Sequence, residues 1–567
     1  MKNRYSWGRM YLLVSLLFVS VMLYAQEERD LKPVSRTYAL TNVNIVQAPG
    51  RKVDMATLII KDGLIKAVGK NISIPPEAII IKADSLYVYA GFIDGLSRTG
   101  VIKPKEENKE RPKDPGNPPA ERAGITPQLD VRNFLSASDK SVEDLRSLGF
   151  TTAHVVPYGG MLPGNGAIIQ LTGKAPDDMV LIEESSFYSE LTPAERVYPA
   201  TTMAVIAKWR ELYRQAALEK NYATLYASNR SGLERPSSSR LLEPFYPVID
   251  KRTPVLFKAE KIWDIHRVLG LQKDLGFSLI LAGVKEGWEV TGKLKSSGAR
   301  IFLSLDLPEE KKEDKKDEKK DDKKEDKKDV PKTMTDAEKE ALEKRKAESI
   351  ANYVSQAVAF QKAGIPFGFS TLDAKLKDIQ ANLRRIIKAG LTEDQALAAL
   401  TTTPAQLLGL SDRLGSVDAG KIANLVVSSK PYFNEKSKVK YVFVEGTLYK
   451  IESSDAKKDA SIVLEGEWSV TADTPQGKRE SVVTIRKEGD KYSGKISGAR
   501  FPQAQDLEEV TLDGNKLKYT FTITEGGNTM KITVEATVEG TTFKGTAAAG
   551  QFGNIPVEGK KKPQLKP

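Results

Sequence analysis

Cysteine is absent from the 567 residues, and histidine occurs twice, at His154 and His266. The first absence excludes disulfides, thiolate metal ligands and lipid attachment to an N-terminal cysteine. The scarcity of imidazole leaves any metal cluster dependent on carboxylates. Also missing are a Gly-x-Ser-x-Gly nucleophile word and the glycine spacing of a phosphate-cradling loop. No basic helix interleaved with aromatics offers a nucleic-acid reading surface. No apolar run reaches the roughly 20 residues that span a bilayer.

What is present is the balance of a soluble globular protein, with 40% hydrophobic and 28% charged residues. The length calls for two to four domains of ordinary size. At the N-terminus Lys2, Arg4 and Arg9 precede the apolar run from Tyr11 to Tyr24, and Ala25 supplies a small residue before Gln26. That order is the pattern of a cleavable export signal over 1–25, which predicts a periplasmic or secreted protein with no membrane span after cleavage. An uncleaved anchor is the alternative, and the run is short for it. Removing the signal's three basic residues brings the formal charge from +11 to about +8. The basic residues are spread along the chain, so a solvated surface explains them and nucleic acid is not expected as a partner.

Periodicity divides the chain. Residues 37–90 read as short strands, with Asp62-Gly63 marking a tight hairpin. From Gly91 to 414 short apolar strands, FTTAHVVPYGG, TPVLFKAE, FSLILAGV, ARIFLSLDL and IPFGFST, alternate with amphipathic helices. This predicts an α/β fold, a parallel (β/α)8 TIM-type barrel. The stretch GMLPGNGA between the first two such elements reads as a loop, structural or substrate-facing. RVYPATTMAVIAKWRELYRQA reads as a helix whose Met and aromatic positions serve the core. The insertion 308–331 is nearly all Lys, Asp and Glu. It has no apolar face and is expected to be solvated, either disordered or as a lone helix held by side chains four apart, with partner binding a further option. Strand patterning returns over 415–452, and after a polar break 460–567 alternates throughout, predicting an antiparallel C-terminal β-barrel or β-sandwich.

Two runs carry a resemblance. TNVNIVQAPGRKVDMATLIIKDGLIKAVGKNI, continued by YVYAGFIDGLSRTG, is similar to the opening of amidohydrolase-superfamily proteins of the imidazolonepropionase-like group. AGLTEDQALAALTTTPAQLLGLSDRLGSVDAGKIANLVV resembles that group's close. The resemblance spans roughly 37–450. It implies a metallohydrolase-type barrel, a small composite β-sandwich built from 37–90 and 415–452, and a zinc or similar divalent ion hydrolysing carbon–nitrogen bonds.

The same resemblance shows what this chain has replaced. The family's His-x-His pair falls at Leu96 and Arg98, its middle-strand histidine at Lys258, the next at or near Ala282, and its late aspartate at or near Leu372. Leucine offers no lone pair and arginine stays protonated. With two histidines in all, the family's set of four is impossible under any alignment, so no metal and no cofactor is expected. Oxygen ligands from Asp94, Glu260, Glu286, Asp306 and Asp373, all near strand ends, are weighed against pairing of the same acids with Arg98 and Lys258. His154, at a strand's C-terminal end, and Glu260 are the candidate general bases of a metal-free reaction, with a hydrogen-bonded structural role as the other reading for His154. His266 lies in a helical stretch and reads as surface or packing.

Three functions stay open at this point. The first is a ligand-binding or regulatory barrel that has lost metal-dependent hydrolysis, taking a small amide- or peptide-like ligand, self-associating or pairing with an intact relative. The second is a hydrolase of amide or cyclic amide bonds working by a changed mechanism. The third gives the working role to the terminal β-domain.

Overall fold

A computed structural model describes residues 36–105, 112–173, 175–309, 336–451 and, with short breaks, 464–562. The segment read as an export signal, and the insertion apart from Pro308 and Glu309, lie outside these residues. No described helix is long and apolar enough to cross a membrane. The chain divides into two compact units at residue 451.

The first unit opens with β1 (Tyr38–Ala48), β2 (Arg51–Lys61), β3 (Leu64–Gly69), β4 (Ile79–Lys82) and β5 (Tyr87–Ala90). Asp62 (φ 53°) and Gly63 (φ 73°) form the left-handed pair that turns β2 into β3. The barrel strands follow: β6 (Phe92–Ser97), β7 (Phe150–Val155), β8 (Gly164–Gln170), β9 (Val180–Glu190), β10 (Val255–Lys258), β11 (Leu279–Val284), β12 (Arg300–Ser304) and β13 (Phe367–Ser370). Then β14 (Leu425–Ser428), β15 (Val439–Val444) and β16 (Thr447–Lys450) return to the first sheet, in the order β16-β15-β14-β5-β1-β2-β3 with β4 beside β1. Segments before and after the barrel thus share one core, where Leu40, Ile45, Leu58 and Val88 meet Leu425 and Phe443. Asn424 joins this sheet to the barrel. Its Nδ2 donates to Gln170 Oε1 (2.5 Å) and Thr152 Oγ1 (3.2 Å), while its Oδ1 accepts from Glu445 N (2.8 Å).

The barrel is α/β, as the strand and helix alternation predicts, with one departure. β8 runs antiparallel to both β7 and β9, whereas the other neighbouring pairs are parallel. The glycine-bearing stretch read as a loop therefore supplies the start of a strand, and a hairpin replaces one helical crossover. Gly166 makes this local choice legible, since a Cβ there would stand 2.7 Å from Ser186 Oγ and 2.9 Å from Val155 O. The helix Thr202–Ser228 turns Val205, Trp209, Leu212, Tyr213 and Ala216 toward the strands. Trp209 packs among Phe187, Phe245, Phe257 and Phe277.

First and last strands are joined by side chains. Buried Asp94 accepts from Leu96 N (3.2 Å), Thr371 N (3.0 Å) and the Thr371 hydroxyl. Leu96 O accepts from Ser370 Oγ (3.0 Å) and Leu372 N (3.1 Å).

The second unit is a single antiparallel sheet of β17 (Gly466–Thr474), β18 (Gly477–Glu488), β19 (Lys491–Gly498), β20 (Phe501–Asp506), β21 (Glu509–Asp513), β22 (Lys516–Glu525), β23 (Asn528–Glu539), β24 (Thr542–Ala548) and β25 (Asn554–Lys561). β17 pairs with β25, so the circuit is continuous except between β20 and β21. That is barrel topology rather than two packed sheets. Its interior is filled by Trp468, Tyr519, Phe543, Val483 and Val534.

Burial raises Asp94's carboxyl from 3.8 to about 7 in spite of its donors. The folded chain therefore holds this proton more tightly than the unfolded chain. Stability from this residue is fully present below about pH 4 and declines as the pH rises toward 7. Urea unfolding of the unaltered chain and Asp94→Asn should converge or cross over that window, and parallel profiles would contradict the assignment. Asp94→Ala, which strands two buried N–H groups, should cost about 2–3 kcal/mol.

Candidate functional site

The inward side chains fill the barrel, because residues two apart on a strand share a face. The middle layer is carbon. Leu96, Val156, Tyr188, Leu256, Ile280, Ala282, Phe302 and Leu372 form one buried cluster. Three of these, Leu96, Ala282 and Leu372, stand where the resemblance puts metal ligands. The Phe302 ring lies so close to the β6–β13 seam that a Cβ on Gly95 would be 1.8 Å, and on Gly368 2.6 Å, from its carbons. Glycine at both positions is what lets the ring reach the axis.

Two residues before three aromatic or aliphatic members of this region stand polar side chains. His154 precedes Val156, Ser186 precedes Tyr188 and Arg300 precedes Phe302. His154 Nε2 is within hydrogen-bond distance of Ser186 Oγ (2.8 Å) and Ser185 Oγ (3.0 Å), and Arg300 Nη1 donates to Leu407 O (3.0 Å). His154 is fully buried, and burial followed by the charge of Arg300 lowers its pKa to about 3, so the imidazole is neutral. The structure places it on the strand-start side of the carbon layer, away from the mouth. His266 lies half-buried on the helix Ile262–Leu275, beside Trp263 and Lys293.

Beyond the carbon layer, the strand ends carry charge. Arg98 Nη2 donates to Glu190 Oε1 at 2.6 Å. Glu190 also accepts from Tyr188 Oη (2.7 Å) and Thr192 Oγ1 (3.0 Å), and the guanidinium lies 4.6 Å from the Tyr158 ring centroid. Lys258 Nζ contacts Asp373 Oδ2 (2.6 Å) and Glu260 Oε1 (3.1 Å). Lys285 Nζ contacts Asp306 Oδ2 (2.7 Å) and Glu260 Oε2 (3.6 Å). Burial opposes the charge on Arg98, but attraction from Tyr188, Glu190 and Asp373 outweighs it and raises its pKa. Lys258 is raised in the same way by Asp373, Glu190 and Glu260 acting against burial. For Asp373 burial acts upward, and the Lys258 contact with the charges of Lys285 and Arg98 prevails, lowering it. An open depression of about 200 Å³ beside this network is lined by Glu190, Leu191, Thr192, Lys258, Glu260 and Asp264.

Of the acids weighed from sequence, Glu260, Asp306 and Asp373 thus converge on the lysines. Asp94 belongs to the seam. Glu286 turns aside, accepting from Tyr353 Oη (2.5 Å) and Ile262 N (3.3 Å). Sequence reading missed Glu190, Tyr188, Lys285 and Tyr158. The alternation Tyr188-Ser189-Glu190 at a strand end was the available signal for the first two.

A metal does not fit this donor set. The positions the resemblance assigns to ligands hold three aliphatic side chains and two cations, and the axial space is occupied by Phe302. Among the described residues, no group of three or more His, Asp or Glu side chains is arranged to hold an ion.

The fold is a TIM-type barrel whose strand ends carry a network of paired charges. The model of the amidohydrolase family matches residues 334–449. No curated protein matches the chain. An amidohydrolase from Thermotoga maritima MSB8 superposes with a TM-score of 0.58 at 20% identity, over 73% of this chain and 100% of that one. A putative prolidase from Bifidobacterium longum gives 0.40 at 15% identity, over 74% and 95%. A Xaa-Pro dipeptidase with bound methionine in its active site gives 0.40 at 13%, over 73% and 100%. The matched segment and the shared fold make this chain similar to amidohydrolases over residues 334–449 and in its barrel.

The Arg98–Glu190 pair has side chains only 18% and 13% exposed, so removing one partner strands the other with little water. Arg98→Met and Glu190→Gln should each lower stability by about 1–3 kcal/mol, with a coupling of about 1–2 kcal/mol in a double-mutant cycle read by urea unfolding. Additive effects would show the pair to be incidental.

Proposed function

We propose that the protein is an exported, ligand-binding barrel that has given up metal-dependent hydrolysis. The observation that carries this reading is the carbon layer: Leu96, Ala282 and Leu372, at or near the positions where the resemblance implies ligands, pack with Phe302 in one buried apolar cluster. A metallohydrolase must present ordered donors and an open coordination position to its substrate. Here the mouth instead presents a paired lattice of three cations and four carboxylates above an apolar floor, an arrangement suited to holding a small polar molecule by charge-assisted hydrogen bonds. The superfamily fold favours an amide- or peptide-like compound, which is analogy of fold. Export rests on the basic-then-apolar order of residues 1–25. Self-association, or pairing with an intact relative, belongs to the same reading.

The test is direct. Purified full-length chain should contain well under one zinc, manganese or iron per molecule by plasma emission, its melting temperature should not move on treatment with a chelator, and it should not hydrolyse dipeptides or cyclic amides above the blank. One tightly held ion per chain, with hydrolysis abolished on its removal, would overturn the proposal.

A further inference from the structure

Among the acids of the mouth, Asp373 differs from its fellows. Glu190 is tied to Arg98, Tyr188 and Thr192, and Glu260 bridges two lysines. The Asp373 carboxylate has the single close partner Lys258, at 2.6 Å, and its side chain is 41% exposed. It stands on the turn after β13 with φ of 65°, a left-handed conformation that costs a non-glycine residue roughly 1 kcal/mol. The lysine it caps lines the 200 Å³ depression. Its charge is also felt by Lys285 and Arg98. An exposed carboxylate on a left-handed turn therefore pairs with Lys258, one of the two lysines that line the cavity.

We propose that Asp373 is a built-in stand-in for a ligand's carboxylate, and that the mouth binds small carboxylate-bearing molecules which displace it from Lys258. This rests on the reading of the mouth as a ligand site. The exchange swaps one carboxylate for another, so the numbers of cations and anions in the partly buried network are unchanged and no unpaired charge is created. The turn is the element that moves. Glu190, Glu260 and Asp306 stay in place and keep the remaining cations neutralised. Leu191, in the lining of the depression, offers the ligand's carbon portion an apolar contact.

The internal carboxylate competes with any external one. If it covers Lys258 at least nine-tenths of the time, the apparent affinity of the full-length chain is reduced about tenfold or more. The experiment titrates sodium propionate at constant ionic strength into the unaltered chain, Asp373→Gly, Asp373→Asn, and Asp373→Gly combined with Lys258→Gln, with folding checked by circular dichroism. Glycine and asparagine both accept the left-handed backbone. Asp373→Gly should bind propionate about tenfold or more tightly than the unaltered chain, Asp373→Asn should shift in the same direction, and the double variant should lose the gain. Propylammonium should move oppositely, binding more weakly to Asp373→Gly. No gain in either single variant, a gain that survives Lys258→Gln, or tighter binding of propylammonium would each overturn the proposal. Metal content and dipeptide hydrolysis measured on the same samples bear on the parent reading alone: a metal-loaded hydrolase that still gains propionate affinity would refute that reading and leave this one standing.

Discussion

The Phe302 ring between Gly95 and Gly368 is the constraint on which the barrel's character depends. An eight-strand barrel is wide enough that its axis must be filled by side chains or left as a site. Here it is filled. The ring reaches the axis because the two strands facing it carry no Cβ at the contact, and Leu96, Ala282 and Leu372 complete the packing around it. Everything above this layer is consequently shallow and charged, and everything below it is sealed.

The sealed side explains the fate of His154. A buried neutral imidazole bonded to serine hydroxyls behaves as a polar strut. Asp94 is the complementary case on the seam, where a carboxyl rather than a continuous strand ladder secures the last strand to the first. Both groups were singled out from sequence as chemical candidates because they stand near strand ends. Their depth inside the barrel, rather than their place along the chain, is what distinguishes them from Glu260 or Asp373.

The strands that ended in recognisable apolar words, from FTTAHVV to IPFGFST, were legible because barrel strands buried on both faces read as short continuous hydrophobic runs. That Leu96 and Arg98 offer no metal donor was legible for a different reason, since it needed only the identity of side chains. β8 was hidden because its glycines, Gly166 against Ser186 and Val155 and Gly164 against Leu129, explain themselves only once those neighbours are in place and otherwise look like loop glycines. Glu190 was hidden because β9 is half polar, IEESSFYSE, and lacks the run that marked its neighbours. The pairing pattern of the mouth depends on which strand ends meet across the barrel, a non-local fact that periodicity does not encode.

The carbon layer also sets how the axis tolerates substitution. Reinstating one donor, at position 96, 282 or 372, would set a polar group among Phe302, Tyr188 and Ile280 with no ion to receive it, since a lone ligand cannot hold one. Each such single step is uphill, and only a full donor set together with removal of the ring would make room for an ion. The packing is thus self-locking: the filled axis resists single polar substitutions, while the charged rim above it can vary without disturbing the core.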